Sequence, residues 1–185
     1  INNAVLNYRL VGLSVQENIK AASYFFQLAK GDISNEQAFA KSLIIQHKTN
    51  KPNDIAELPN WGRKYTWRVV YKDKDGKEIG NSGLHHFETG TAPFVDTSKN
   101  GLVVLKRATD HKDLYILTDR NLVVYDMAGS PVWYMPDIPE IKKRDISIRD
   151  FKATVDGTFT FLTQEDALEI DYNGKILWKA PNDGK

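Results

Sequence analysis

Few side chains in this chain combine the types and spacing that catalysis or metal binding requires. The four histidines are His47, the adjacent pair His85 and His86, and His111. The pair falls in a predicted strand without an acidic or histidine partner at metal-ligand spacing, so we predict a structural role for it. His47 and His111 fall in or beside predicted loops, where solvated side chains are expected. The chain has no Gly-x-Ser-x-Gly motif, and no acyl-transfer nucleophile is predicted.

The acidic and basic side chains give one weak indication of a binding site. Asp110, Asp113 and Asp119 lie close together but lack the glycine and the final glutamate of a calcium loop, so turn capping is the simpler interpretation. Arg107 and Arg149 lie on predicted innermost strands of two repeated units, where they would contact anions if those strands line a channel. Exposed charge is the alternative interpretation. We predict no catalytic residue, metal site or cofactor.

The composition excludes several classes of function. With 25 basic and 24 acidic side chains the net charge is +1, so the chain as a whole does not attract nucleic acid or an anionic membrane. Because there is no cysteine, disulfides, thiolate metal sites and cysteine nucleophiles are excluded. No apolar stretch approaches the ~20 residues that cross a bilayer, so no membrane span is predicted. Hydrophobic residues make up 41%, enough for folded cores.

The first half of the sequence contains an alternating aromatic segment. Lys64 to Asp73 places large apolar side chains at every second position, which predicts a half-buried antiparallel strand: these are Tyr65, Trp67, Val69 and Tyr71. The Asp75-Gly76 pair that follows predicts a hairpin turn, because glycine tolerates positive φ. The next strand is predicted over Ser82 to Thr89.

Three upstream segments are less clear. Ser23 to Ala29 alternates like a strand, although Gln16 to Lys30 as a whole can also be drawn as an amphipathic helix. Gln37 to Ile45 fits either a helix or a strand. Lys48 to Glu57 is rich in Asn, Lys and Pro and is predicted to be a long exposed loop.

These segments together resemble a fibronectin type III domain over about residues 1–92. The resemblance rests on Tyr24 to Ala29, on Leu58 to Val69 and on His86 to Thr89, where a leucine and a turn precede a Tyr-x-Trp-Arg-Val strand and a Phe-x-Thr closes the last strand. It implies a β-sandwich in which Tyr65 is the tyrosine-corner residue, with its hydroxyl bound to upstream backbone and its ring in the core. Such a fold carries no chemistry of its own.

The second half, residues 93–185, contains an internal repeat. Residues 101–136 align without a gap on residues 146–181, at an offset of 45, with identities at Ala108/Ala153, Thr109/Thr154, Leu117/Leu162, Thr118/Thr163, Asp126/Asp171, Gly129/Gly174, Trp133/Trp178 and Pro136/Pro181. Four short strands are predicted in each unit: Leu102–Lys106, Leu114–Thr118, Leu122–Asp126 and Val132–Tyr134, then Ser147–Lys152, Thr158–Leu162, Ala167–Asp171 and Ile176–Lys179.

A four-stranded unit that recurs at this spacing is typical of a β-propeller blade. The Asp-x-x-Gly turn before the last strand has a capping carboxylate and a residue for positive φ, and a tryptophan follows it in each copy. Propellers need about four to eight blades, so two cannot close a ring. Because the chain also starts at Ile1 rather than Met, we expect it to be a fragment of a longer protein.

The runs Val123 to Tyr134 and Glu169 to Trp178 resemble blades of bacterial arylsulfotransferases, in which a small β-sandwich also precedes a propeller. The resemblance implies a parent enzyme that moves sulfuryl groups from aryl sulfates to phenols through a histidine in a later blade. It also implies a periplasmic or exported protein. The expected partners are the remainder of the propeller or another copy that joins open sheet edges. The alternatives are a non-catalytic scaffold of the cell envelope and a quinoprotein-type propeller.

Overall fold

The computed structural model describes residues 2–90, 102–106, 110–111, 113–119, 121–141 and 147–181. The fold is all-β and consists of several small sheets, with one short helix among the described residues. The chain forms two compact units, Ile1–Thr91 and Ala92–Lys185. Each unit has its own strands, and the candidate site residues of one unit are positioned by the strands of that unit.

The first unit contains a larger and a smaller sheet. Its elements are β1 (Ala4–Leu6), β2 (Leu10–Ser14), β3 (Ser23–Lys30), α1 (Glu36–Lys41), β4 (Leu43–Thr49), β5 (Asn53–Glu57), β6 (Arg63–Lys72), β7 (Glu78–Asn81) and β8 (His85–Thr89). Six strands form the larger sheet in the order β1-β8-β6-β3-β4, with β7 also paired to β6. Strands β2 and β5 form the smaller sheet. Strand β1 runs parallel to β8, and the other pairs are antiparallel.

The predicted strand at β6 is confirmed, although its second face is also partly buried, at Thr66 and Val70. Tyr65, Trp67 and Val69 are almost completely buried, as expected of the core face of a strand. On β3, Phe26 pairs with Val69 and Leu28 with Trp67, so the two strands bury the same face. The smaller sheet adds buried residues of its own, Val11, Leu13 and Ala56.

The strand interpretation of Ser23 to Ala29 is confirmed, since β3 occupies it and residues 16–22 form no helix. Gln37 to Ile45 contains both structures, because α1 ends at Lys41 and β4 begins at Leu43. The Asn35 side chain caps α1 by accepting a hydrogen bond from the Ala38 amide at 2.8 Å.

The predicted loop over Lys48 to Glu57 is wrong. Its second half is β5, which pairs with β2 along five residues and leads the chain into the smaller sheet. The predicted strand over Ser82 to Thr89 begins later, at His85, because Gly83 has a φ of 73° that interrupts the extended backbone. Gly76 adopts a φ of 78° in the β6–β7 hairpin, as the Asp-Gly signal predicted.

The second unit contains a three-stranded and a four-stranded antiparallel sheet. The first is formed by β9 (Tyr115–Thr118), β10 (Val123–Asp126) and β11 (Pro131–Tyr134), and the second by β12 (Arg149–Ala153), β13 (Phe159–Leu162), β14 (Ala167–Ile170) and β15 (Ile176–Lys179). The predicted strand over Leu102–Lys106 is wrong, because this segment is described and forms no strand. Instead the Leu102 carbonyl and the Val104 side chain occupy the space that a side chain at Gly129 would need.

The 45-residue offset holds in the last hairpin of each sheet. Val124 pairs with Trp133, and Glu169 pairs with Trp178. In the preceding hairpin Thr118 pairs with Val123, whereas Phe161 pairs with Leu168, so the gapless alignment misplaces β13 by two residues. A two-residue shift leaves every side chain on its original face.

Candidate functional site

The two predicted Asp-x-x-Gly turns have the same geometry. The Asp126 carboxylate accepts hydrogen bonds from the amides two and four residues later, at 2.8 and 2.9 Å. The Asp171 carboxylate accepts the equivalent pair, both at 2.9 Å. Gly129 and Gly174 adopt φ of 82° and 84°, which glycine tolerates without strain. The paired turns therefore set the position of each tryptophan that follows.

Trp133 joins the two repeats. Its indole nitrogen donates to the Tyr172 carbonyl oxygen at 2.8 Å, and its ring centroid lies 4.5 Å from that of Phe159. The Phe151 and Tyr172 rings lie 5.9 and 6.1 Å away. The Trp133 side chain is completely buried, so this residue of the first repeat fills an aromatic pocket on the second.

Trp178 has the equivalent position on the second repeat, but 49% of it is exposed. Trp178 pairs with Glu169, and Thr160 lies one strand further along the same row. Val124 and Leu117 hold the equivalent places in the row of Trp133. We call Trp178, Glu169 and Thr160 the Trp178 surface. It combines one large aromatic ring with polar neighbours, which is typical of a contact surface rather than of a protein interior.

The first repeat has an open edge. Strand β9 lies at the end of its sheet, and no described strand pairs with its outer side. Next to and within β9, Leu114, Tyr115 and Ile116 are 55, 49 and 39% exposed. An edge strand with exposed apolar side chains favours association with another chain or segment.

A polar cluster in the first unit brings His86 close to charged residues. The His86 Nδ1 atom lies 3.2 Å from Asp32, and the Asp32 carboxylate accepts a hydrogen bond from the Lys64 ammonium at 3.0 Å. That bond holds the pKa of Asp32 below and the pKa of Lys64 above their ordinary values. The residues line a cleft of about 300 Å³.

The cluster does not assemble a nucleophile. The Thr66 hydroxyl lies 3.2 Å from the same His86 nitrogen, but Thr66 is buried. Its hydroxyl donates to the Gly31 carbonyl at 2.8 Å and accepts from the Ile33 amide at 3.0 Å. For His86 to act as a general base, an accessible hydroxyl would have to donate an aligned hydrogen bond to an imidazole nitrogen that has no other partner. No sequence signal indicates this cluster, since Asp32 and His86 are far apart in the sequence.

The other histidines occupy varied environments. The His47 ring lies 3.1 Å from the Asp54 carboxylate with half of its side chain exposed. His111 is exposed, and His85 stacks on Trp67 with 4.8 Å between ring centroids. Burial lowers the pKa of His85, so its imidazole is neutral near pH 7.

Only one of the two predicted anion contacts lies among the described residues. Arg149 is an exposed residue on β12, an edge strand, and Arg107 lies outside the described residues. No group of three or more His, Asp or Glu side chains within the described ranges has the geometry to hold a metal ion.

The described part of the chain contains no helix with the length and apolarity needed to span a bilayer. Among the described residues, the strongest structural candidates for function are the contact surfaces of the repeats and the clefts of the first unit. Comparison with protein-family models, with curated proteins and with solved structures finds no match to this chain.

Proposed function

We propose that this chain is a non-catalytic scaffold module in which a fibronectin-type-III-like sandwich precedes two propeller-type blades that associate with further blades. The observation that carries the proposal is the pair of tryptophans. Trp133 is buried between two stacked repeats, and Trp178 occupies the same site on the second repeat with its ring half exposed. A repeat that cannot cover this ring by itself is suited to stack on another.

The first unit supports the sandwich part of the proposal through Tyr65. The Tyr65 hydroxyl donates to the Asn60 carbonyl, five residues upstream, at 3.1 Å, and the ring is buried. This is the contact that a tyrosine corner makes. The two separate sheets, linked where β4 leads to β5, also suit a sandwich.

The second unit supports the blade part through its strand order. Strands β12, β13, β14 and β15 form a simple antiparallel meander of four strands, which is the connectivity of a propeller blade. A ring needs about four to eight such sheets. Further blades must therefore come from other copies or from more of the same chain, and a second copy is the occupant that we propose for the Trp178 surface.

The arylsulfotransferase interpretation stays a prediction, because the histidine that it requires is expected in other blades. The same holds for periplasmic or exported localisation. Several polar groups of the described residues are paired, as in the exposed Asp32–Lys64 ion pair and the buried Thr66 hydroxyl that donates to the Gly31 carbonyl, and such pairs suit a structural role. This is why we place the scaffold function first.

Sedimentation velocity of the 185-residue chain tests the scaffold function. We expect larger species to form as concentration rises, and Trp178→Arg to remain monomeric because the substitution places a charge at the contact. Val155→Arg is the matched control, since Val155 is fully exposed in a turn of the same repeat. A wild-type chain that stays monomeric when concentrated, or a Trp178→Arg variant that assembles normally, would contradict the proposal.

A further inference from the structure

A second cleft in the first unit differs chemically from the Asp32–His86 cleft. It has a volume of about 410 Å³ and lies where the end of β2 faces β6 and the segment between β7 and β8. Its lining includes Ser14, Gln16, Tyr71, Ser82 and His85. We call it the aromatic groove. Its volume falls within the range of roughly 300 to 1,000 Å³ that is typical of small-molecule sites.

Two rings form a fixed wall of the aromatic groove. The Tyr71 ring stands edge-on to the Tyr24 ring, with 5.8 Å between centroids and 83° between planes. The His85 ring lies against the buried Trp67. Both groove residues are half-buried, so each ring is held by a core aromatic and still presents a surface to the groove. Such a wall is formed before any ligand arrives.

Uncharged polar side chains line the groove beside these two rings. The Gln16 amide, the Ser14 hydroxyl and the Tyr71 hydroxyl make hydrogen bonds to no other described residue. The Ser82 hydroxyl is different, because it accepts from the Val69 amide at 2.9 Å and donates to the next carbonyl at 3.0 Å. Gln16, Ser14 and Tyr71 therefore leave donors and acceptors for a ligand.

The described lining of the aromatic groove contains no Asp, Glu, Lys or Arg. The other cleft, in contrast, is lined by Asp32, Lys64 and Glu88. The described side chains of the groove offer an ionised ligand no counter-charge in exchange for its hydration, so they favour a neutral one. Flat rings beside amide and hydroxyl groups suit a molecule with apolar C–H faces and a rim of hydroxyls.

We propose that the aromatic groove binds a neutral carbohydrate of one or two sugar rings, with Tyr71 and His85 against the ring faces and Gln16 and Ser14 at the hydroxyls. An extended peptide is a poorer fit, because the polar groups identified here are side chains and not a row of unpaired backbone groups along a strand. The inference concerns the first unit and does not depend on association of the repeats.

Isothermal titration calorimetry on the 185-residue chain tests this site with maltose, cellobiose and diacetylchitobiose, and with glucose 6-phosphate as a charged comparison. We expect saturable binding of at least one neutral disaccharide and weaker binding of the phosphate. Gln16→Ala and Tyr71→Phe should each weaken the binding about three- to tenfold, the effect of losing one hydrogen bond. Lys64→Ala, in the other cleft, is the matched control and should leave the affinity unchanged.

The proposal is overturned if none of the three disaccharides binds, or if Gln16→Ala and Tyr71→Phe both bind like the wild type. Loss of binding in Lys64→Ala would place the ligand in the other cleft. If no disaccharide binds but an uncharged tripeptide does, and Gln16→Ala weakens that binding, the ligand of the groove is a peptide and not a carbohydrate. Circular dichroism of each variant shows whether a loss of binding is a loss of folding.

Discussion

Single side chains in this protein mainly fasten turns and loops to the strands. Tyr65 ties the segment around Asn60 to the core through its hydroxyl, and Asp126 and Asp171 each close a turn with two amide hydrogen bonds. Each role depends on one or two hydrogen bonds, which contribute about 0.5 to 1.5 kcal/mol apiece. Substitution can therefore test these contacts separately.

Replacement of Tyr65 by Phe should reduce the free energy of unfolding by about 1 kcal/mol. The loss is small because the Asn60 carbonyl keeps a second hydrogen bond, from the Thr89 hydroxyl at 3.0 Å. Trp67→Ala should cost more, about 3 to 5 kcal/mol, since it removes a buried ring. Urea denaturation measures both.

The double variant Tyr65→Phe/Thr89→Val provides the control for this interpretation. Because the Asn60 carbonyl then loses both donors, the double variant should lose more stability than the two single variants together. Equal and negligible effects of Tyr65→Phe and Trp67→Ala would contradict the placement of β6 in the core.

Replacement of Asp126 or Asp171 by Ala should lower stability by a similar amount, about 1 to 2 kcal/mol, because each carboxylate accepts two amide hydrogen bonds. Asp156→Ala is the control, since Asp156 is an exposed residue in a different turn of the second unit. Thermal denaturation of the three variants makes the comparison. A large loss in Asp156→Ala, or a loss confined to one of the two turns, would contradict the equivalence of the repeats.

At the scale of elements, the sequence predicts a strand correctly where apolar and polar residues alternate clearly. The prediction is wrong where this alternation is weak. The aromatic alternation of β6 and the repeated hairpins near Trp133 and Trp178 could be read directly. Strand β5 was missed because Ala56 is its single buried residue and Ile55 points outward with 66% exposure, so its pattern is masked by neighbouring Asn, Asp and Pro. Tertiary pairing with β2 decides its structure.

The candidate sites were harder to predict than the strands. The Asp32–His86 pair and the aromatic groove both bring together residues that are distant in sequence, such as Gln16 and His85. Only the strand order brings these residues together, and a single sequence carries no signal for such pairs. The internal repeat identifies Trp178 as the equivalent of Trp133. The exposure of Trp178 cannot be predicted in this way, because it depends on what stacks on the second repeat.

At the scale of the whole molecule, the two units have different roles in our proposals. The first unit holds the aromatic groove, and the second provides the stacking surfaces. Neither role requires a catalytic group, and the arylsulfotransferase prediction expects its histidine in other blades. Activity assays on the chain can therefore be separated from assays of binding and assembly.

We predict that this chain alone transfers no sulfuryl group from an aryl sulfate to a phenol. An oxyanion-stabilising site needs a nucleophile and several donors within hydrogen-bond reach, and the described residues do not assemble them. Incubation of the chain with 4-nitrophenyl sulfate and a phenol should release no nitrophenol above the buffer control. Turnover that disappears in His86→Ala would show that the active site lies in the first unit.

The stacking of one repeat on the other is tested most directly by comparing Trp133→Ala with Trp178→Ala in urea denaturation of dilute protein. Trp133 is buried between the repeats and Trp178 is half exposed. We predict that Trp133→Ala lowers the free energy of unfolding by about 3 to 5 kcal/mol and that Trp178→Ala lowers it by less than about 1 kcal/mol. Equal losses, or a larger loss for Trp178→Ala, would contradict this account.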